Sequence, residues 1–369
     1  MHFIMIFLAI FFGALLILIV FLTVMDHLLR SKKYNGAMSD HFDGKKFFNI
    51  LADASQKLDI PEPGEDELLA EKNLLVRFRS LFDRSAWKME TVETSIPPKR
   101  VEGEELLVTF INHATVLIQT EGVNILTDPI YSYRASPLSF LGPRRYRNPG
   151  VRFEDLPPID VVLISHNHYD HMDIPTLRKL HKVHDPKIYV PLGNVAYLEK
   201  RGISGAVDMD WKDGQVLESG MGIFAVPAQH FSARAISDRM NTLWAGFVIK
   251  TAHGNIYFAG DTGYGPWVEK VVACFPDGFR LALLPIGAFR PRVFFRDVHI
   301  SPEEALLIQK KIRAQTAIGI HFGTFRLTAD GQDEGAQIVR AKADPSTPFL
   351  ALQNGEAYSV PGEVFPHGF

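Results

Sequence analysis

Apolar residues along this chain fall into three regimes. From Phe3 to Met25 they run on with no charged side chain among them. About 20 residues at ~1.5 Å each cross a hydrocarbon layer, so this run predicts a membrane-spanning helix. The next regime, to about residue 105, is mixed. Residues 36–49 interleave aromatics with charge, as in a segment lying on a bilayer surface or packed on a folded domain. Pro61-Glu62-Pro63-Gly64 breaks the chain, a helical period covers 67–82, and Pro97-Pro98 closes the stretch. From Leu106 onward short β-rich runs are separated by turn residues: 107–111, 116–119, 124–127, 161–164, 187–190, 223–226, 245–251, 255–258, 281–284 and 317–320. Helical periods lie at 174–182, 194–201, 266–273, 302–312 and 332–343. Strand-rich blocks with interspersed helices predict two sheets covered by helices in one α/β domain. The organisation expected is an anchor over 1–27, an extension over 28–105 and a catalytic domain over 106–369.

Composition narrows the class. The 369 residues carry a formal charge of -3 with both signs mixed, which excludes a typical nucleic-acid binder. Cys274 is the single cysteine, so neither an internal disulfide nor a thiolate zinc site is available. A cleavable signal peptide would need a basic leader, a shorter apolar core and a small-residue cleavage site. Nothing basic but His2 precedes the apolar run, and no such site follows. Arg30, Lys32 and Lys33 come just after it, so the positive-inside rule expects a single-pass protein with its catalytic domain in the cytoplasm.

The densest chemistry lies in Ser165-His166-Asn167-His168-Tyr169-Asp170-His171, directly after the apolar run 161–164. Imidazole nitrogen and carboxylate oxygen are the donors zinc takes outside thiolate sites. His166 and His168, two apart in an extended segment, project to one side. Asp170 and His171 fall after a turn and aim elsewhere, so one cluster can serve two ions. Three more donors each end an apolar run: His230 after 223–226, Asp261 after 255–258 and His321 after 317–320. Asp128, before Pro129, is a candidate to orient an imidazole. His113 reads equally as a satisfied core histidine or as a partner that supports a metal ligand, while His181, His184, His253 and His367 read as surface residues.

These segments resemble the metallo-β-lactamase superfamily, whose fold is a four-layer α/β/β/α sandwich, here with an N-terminal transmembrane helix. Within it the chain is most similar to the N-acyl-phosphatidylethanolamine-hydrolysing phospholipase D branch. The matching segments are Asn112-His113-Ala114-Thr115-Val116, Leu126-Thr127-Asp128-Pro129-Ile130, Arg134-Ala135-Ser136-Pro137, Gly142-Pro143-Arg144-Arg145, Phe258-Ala259-Gly260-Asp261-Thr262-Gly263-Tyr264, Leu284-Pro285-Ile286-Gly287-Ala288 and His321-Phe322-Gly323-Thr324-Phe325, besides the histidine cluster. The resemblance implies two Zn2+ ions, or other divalent metals. His166, His168 and His230 would hold one, Asp170, His171 and His321 the other, and Asp261 would bridge them. It also implies that His299 and Tyr169 line the substrate pocket. Placed there, His299 could donate to a phosphate oxygen or protonate the leaving alkoxide, and Asp170 could orient the attacking hydroxide. The other reading of His299 is an ordinary residue ahead of a helix start at Ser301-Pro302.

Two divalent ions lower the pKa of a shared water and neutralise charge on a phosphoryl group, so no serine or cysteine nucleophile is required. The expected reaction splits N-acyl-phosphatidylethanolamine into N-acylethanolamine and phosphatidic acid. Arg144, Arg145, Arg147, Arg290, Arg292 and Arg296 are candidate headgroup contacts, and phenylalanines within 289–295 could line an acyl groove. Expected partners are therefore a phospholipid substrate and a membrane, without nucleic acid; a homodimer stays open. Two other readings share the pattern: a lactonase of the ascorbate-lactonase-like branch, and a non-catalytic membrane protein that binds lipid.

Overall fold

The computed structural model describes residues 2–50 and 87–362. The expected chain break at 61–64, the helical period at 67–82 and His367 lie outside the described residues. Two seven-stranded mixed sheets face each other. The first has the order β14-β1-β2-β3-β4-β5-β6 and the second β13-β12-β11-β10-β9-β8-β7. The first comprises β1 (Leu106–Asn112), β2 (Thr115–Thr120), β3 (Val123–Thr127), β4 (Val161–Leu163), β5 (Lys187–Pro191), β6 (Val207–Met209) and β14 (Ala357–Val360). The second comprises β7 (Gly214–Val216), β8 (Gly222–Val226), β9 (Gly246–Thr251), β10 (Gly254–Phe258), β11 (Phe279–Pro285), β12 (Ala314–Ile320) and β13 (Phe349–Leu350).

Side-chain alternation builds the layers. Val116, Ile118, Ile125, Val161 and Leu163 face the space between the sheets. Their neighbours Leu117, Leu126, Val162 and Ile164 point the other way, under helices α2 (Ile174–Val183) and α3 (Val195–Glu199). Strands β3 to β6 pair in parallel and are covered on both faces, which is why 161–164 reads as an unbroken apolar run. On the second sheet the covering helices are α4 (Trp267–Cys274), α6 (Pro302–Lys311) and α7 (Glu334–Lys342). Ala305, Ile308 and Val339 pack from this side into the core. The result is the expected α/β/β/α sandwich.

All ten expected strands form, most of them longer than the apolar run that marks them. Strands β6, β7, β13 and β14 were not expected. They are two to four residues long, and β7 is exposed throughout. The four-residue helix α5 (Arg292–Phe295) was likewise not expected.

Helix α1 (His2–Leu29) is long and apolar enough to cross a membrane. Its large apolar side chains from Phe3 to Val24 are exposed along its length. Only its C-terminal end touches the sandwich. Asp26 accepts hydrogen bonds from the N–H (2.8 Å) and hydroxyl (2.6 Å) of Ser237, and Arg201 donates to the Leu28 carbonyl at 3.3 Å. Ser31 then donates twice to Asp238, at 2.7 and 2.8 Å. Of the two readings of residues 36–49, packing on the domain is the one observed: Phe42 and Phe47 are buried to 1% exposure in the main core.

Candidate active site

Five strands of the two sheets deliver polar side chains to one edge. Asp128 follows β3, His166 follows β4, His230 follows β8, Asp261 follows β10 and His321 follows β12. Three site residues with side chains, His113, Asp128 and His321, take positive φ (50°, 33° and 62°), a conformation concentrated at functional turns. Gly260 has φ 61°, and a Cβ there would collide with the Ser165 side chain.

All seven of the expected ligand residues converge. In the first group, the Ser165 hydroxyl donates to Asp128 and so accepts from His166 Nδ1 (2.9 Å), leaving His166 Nε2 with a free lone pair. His230 Nδ1 donates to the Val298 carbonyl at 2.8 Å, which frees its Nε2 in the same way. Both lone pairs point at His168 Nδ1, at 2.8 and 3.3 Å. At most one of these three nitrogens can carry the hydrogen between them, a shortfall that a shared cation removes. Burial holds all three imidazoles neutral: His166 well below its usual range, His168 near 3 and His230 near 4. Neutral imidazole is the form a metal binds.

The second group is richer in charge. His171 Nδ1 donates to Asp128 at 2.6 Å, so its Nε2 turns toward Asp170 (3.3 Å) and Asp261 (3.1 Å). His321 Nε2 lies 3.3 and 3.1 Å from the same two oxygens. Burial opposes ionisation, but the facing charges outweigh it. Asp170 and Asp261 stay well below the usual carboxylate range, while His321 rises to about 9 and His171 well above its ordinary value. His171 Nε2 and Asp261 Oδ1 are buried without a hydrogen-bond partner, as expected of atoms reserved for a cation. The donor set therefore fits metal ions. One Asp261 oxygen also lies 3.9 Å from His166 Nε2 and 3.8 Å from His230 Nε2, so it faces both groups.

His299 is buried, with Nδ1 unpartnered 3.9 Å from Asp261. Its carbonyl accepts from Arg292 (2.6 Å). Arg292 pairs with Glu304 (2.7 Å), which completes the capping box of α6 with Ser301. Tyr169 turns its hydroxyl to the Arg234 carbonyl (2.7 Å), and its ring lies 3.7 Å from the Arg234 guanidinium.

Two residues here, Arg234 and Asn49, carry no sequence signal. Arg234, buried, donates to the carbonyls of Asn167 (3.0 Å), His168 (3.5 Å) and Met172 (2.9 Å), bracing the ligand loop from outside. Asn49 brackets the His230 backbone, accepting from its N–H (3.0 Å) and donating to its carbonyl (2.9 Å). His113 meets Asp170 at 3.0 Å, so it belongs to the cluster. The candidate headgroup arginines separate sharply. Arg145 is buried against carbonyls of Ile130 and Ser132, Arg147 pairs with Asp333 and Glu90, Arg290 with Glu334, and Arg292 with Glu304. Arg144 and Arg296 stay exposed.

Comparisons with known proteins agree with this geometry. The profile of the Beta-lactamase superfamily domain matches residues 123–322. An N-acyl-phosphatidylethanolamine-hydrolyzing phospholipase D of Caenorhabditis elegans is 33% identical over 73% of this chain and 82% of its own length. A mitochondrial enzyme of the same description from Saccharomyces cerevisiae is 34% identical over 57% of this chain and 46% of its own. A metallo hydrolase of Ignicoccus hospitalis shares the fold, with a TM-score of 0.52 at 22% identity over 69% of this chain and 98% of its own. The chain therefore belongs to the beta-lactamase superfamily, as a metal-dependent hydrolase homologous to the N-acyl-phosphatidylethanolamine-hydrolysing phospholipases D.

Proposed function

We propose that this hydrolase is a membrane-anchored phosphodiesterase of phospholipase D type, cutting N-acyl-phosphatidylethanolamine into N-acylethanolamine and phosphatidic acid. In this reading residues 1–27 are the anchor, 28–105 an extension and 106–369 the catalytic domain facing the cytoplasm. His166, His168 and His230 hold one Zn2+, Asp170, His171 and His321 a second, and Asp261 serves both. The observation that carries it is the Asp261 oxygen within 4 Å of four imidazole nitrogens drawn from both groups. When bound, the two cations supply an acidified water and neutralise charge on the phosphoryl oxygens.

The remaining work falls to the chain's own side chains. Asp170 accepts a hydrogen bond and so orients the attacking water. His299, neutral because it is buried, offers Nδ1 beside Asp261 and can accept the proton that the attacking water gives up and hand it on to the departing alkoxide oxygen, returning to the neutral form. Tyr169, its hydroxyl already committed to Arg234, contributes its ring as a pocket wall.

Metal analysis combined with a lipid-hydrolysis screen read by mass spectrometry tests the reading. Asp261→Ala and His168→Ala should each lower turnover by at least about a thousandfold, since positioning and charge neutralisation are lost together. Near-native turnover in either variant refutes the ligand assignment, and turnover of lactones without phospholipid refutes the substrate.

A further inference from the structure

Two loops rise from the sheet edge that carries the histidine cluster: 131–146 beyond β3 and 231–242 beyond β8. They flank Tyr169. Its ring packs with Ile130, Ala135 and Phe325 of one side, and its hydroxyl bonds the Arg234 carbonyl of the other. The first loop is a hairpin, pinched by a bridge between Arg134 and Arg144 and by the Ala135 N–H donating to the Pro143 carbonyl at 3.0 Å. Beyond the pinch its tip presents Phe140 and Leu141, 75% and 61% exposed. In the second loop Ile236 is 79% exposed. Its neighbour Ser237 is the residue bonded to Asp26, the first charged side chain after the apolar stretch of α1. Ile236 thus sits beside the point where α1 passes from apolar to polar surroundings.

Charge accompanies the apolar tips. The Arg134 guanidinium donates to the Gly142 carbonyl and lies over the Tyr133 ring, and that of Arg144 lies over the Tyr146 ring. These neighbours are neutral, so both cations can still meet an anion. Apolar tips between arginines match a layer whose headgroups are anionic and whose interior is hydrocarbon.

We propose that the hairpin 131–146 and Ile236 dock on the anionic lipid surface that α1 enters, so that the mouth of the cluster opens against the bilayer. This rests on the reading of α1 as a membrane span. Full-length protein carrying Cys274→Ser with Phe140→Cys or Ile236→Cys is labelled with an environment-sensitive fluorophore. A third label goes at Val216→Cys, on the exposed edge strand β7. Each is reconstituted into vesicles of phosphatidylcholine and phosphatidylglycerol, and spin-labelled lipid is the quencher.

Positions 140 and 236 should be quenched several-fold more than position 216, and quenching at 140 should fall in vesicles of phosphatidylcholine alone. Equal quenching at all three sites, in protein that floats with the vesicles, overturns the docking and leaves the span intact. Protein that does not float overturns both. A label at 140 shielded in detergent, in a manner that depends on protein concentration, would seat a second copy of the chain on the hairpin and also overturn the lipid assignment.

Discussion

Asp128 shows how one carboxylate organises the cluster. It is fully buried and accepts from the Ser165 N–H (2.7 Å), the Ser165 hydroxyl (2.6 Å) and His171 Nδ1 (2.6 Å). The third bond sets the tautomer of His171 and turns Nε2 toward Asp170 and Asp261. Asp128→Asn keeps the shape but removes the charge that holds this proton. Affinity for divalent cations should then fall about 10–100-fold, read by competition with a chromophoric chelator. Unchanged affinity would mean that another group orients His171. The seven candidate ligands were legible in the sequence because rare side-chain types cluster behind one apolar run and end three others, a pattern that core packing does not produce. Asp128 was legible as a candidate for the same reason. Arg234 and Asn49 were not, because each acts on backbone atoms of a segment far away in sequence.

Among the elements, the segment 31–49 has a packing role and a charged clasp. His41 lies between Asp40 (2.6 Å) and Asp210 (2.7 Å), its ring against Trp211. Burial disfavours its charge, but the two carboxylates outweigh burial and raise its pKa above the ordinary value. Such a group contributes stability that is fully present below about pH 6.5 and is lost as pH rises through the elevated value. The stability gap between native protein and His41→Gln, followed by thermal unfolding, should therefore be widest in mild acid and close in alkali. A gap independent of pH would mean that His41 stays neutral. Burying Phe42 and Phe47 is worth about 1.5–3 kcal/mol each, so the segment should stay docked when the clasp discharges. Short elements are where sequence patterns fail. Strands β6 and β13 hold too few residues to show a period of two, and they exist because a long buried neighbour offers its edge. Strand β7, wholly exposed, has no apolar face to read.

Across the whole molecule, an apolar rod joins a sandwich that needs nothing from it to complete its core. Among the described residues, none of α1 belongs to the three hydrophobic clusters. Removing residues 1–27 should give a soluble protein that hydrolyses detergent-dispersed lipid near the full-length rate. On vesicles it should be slower by about an order of magnitude, because tethering raises effective substrate concentration. Loss of activity in detergent would assign the bonds between Asp26 and Ser237 a structural role.

The brace formed by Arg234 also bears on the order of assembly. The loop that carries four of the seven proposed ligands hangs from the first sheet, whereas the guanidinium that grips its carbonyls arrives with the second, beyond β8. A nascent chain that has made only strands β1 to β6 lacks that grip, as well as His230, Asp261 and His321. Under the proposed ligand assignment, a complete cation site would form only after the two halves have closed on each other, which would make metal content a readout of finished folding.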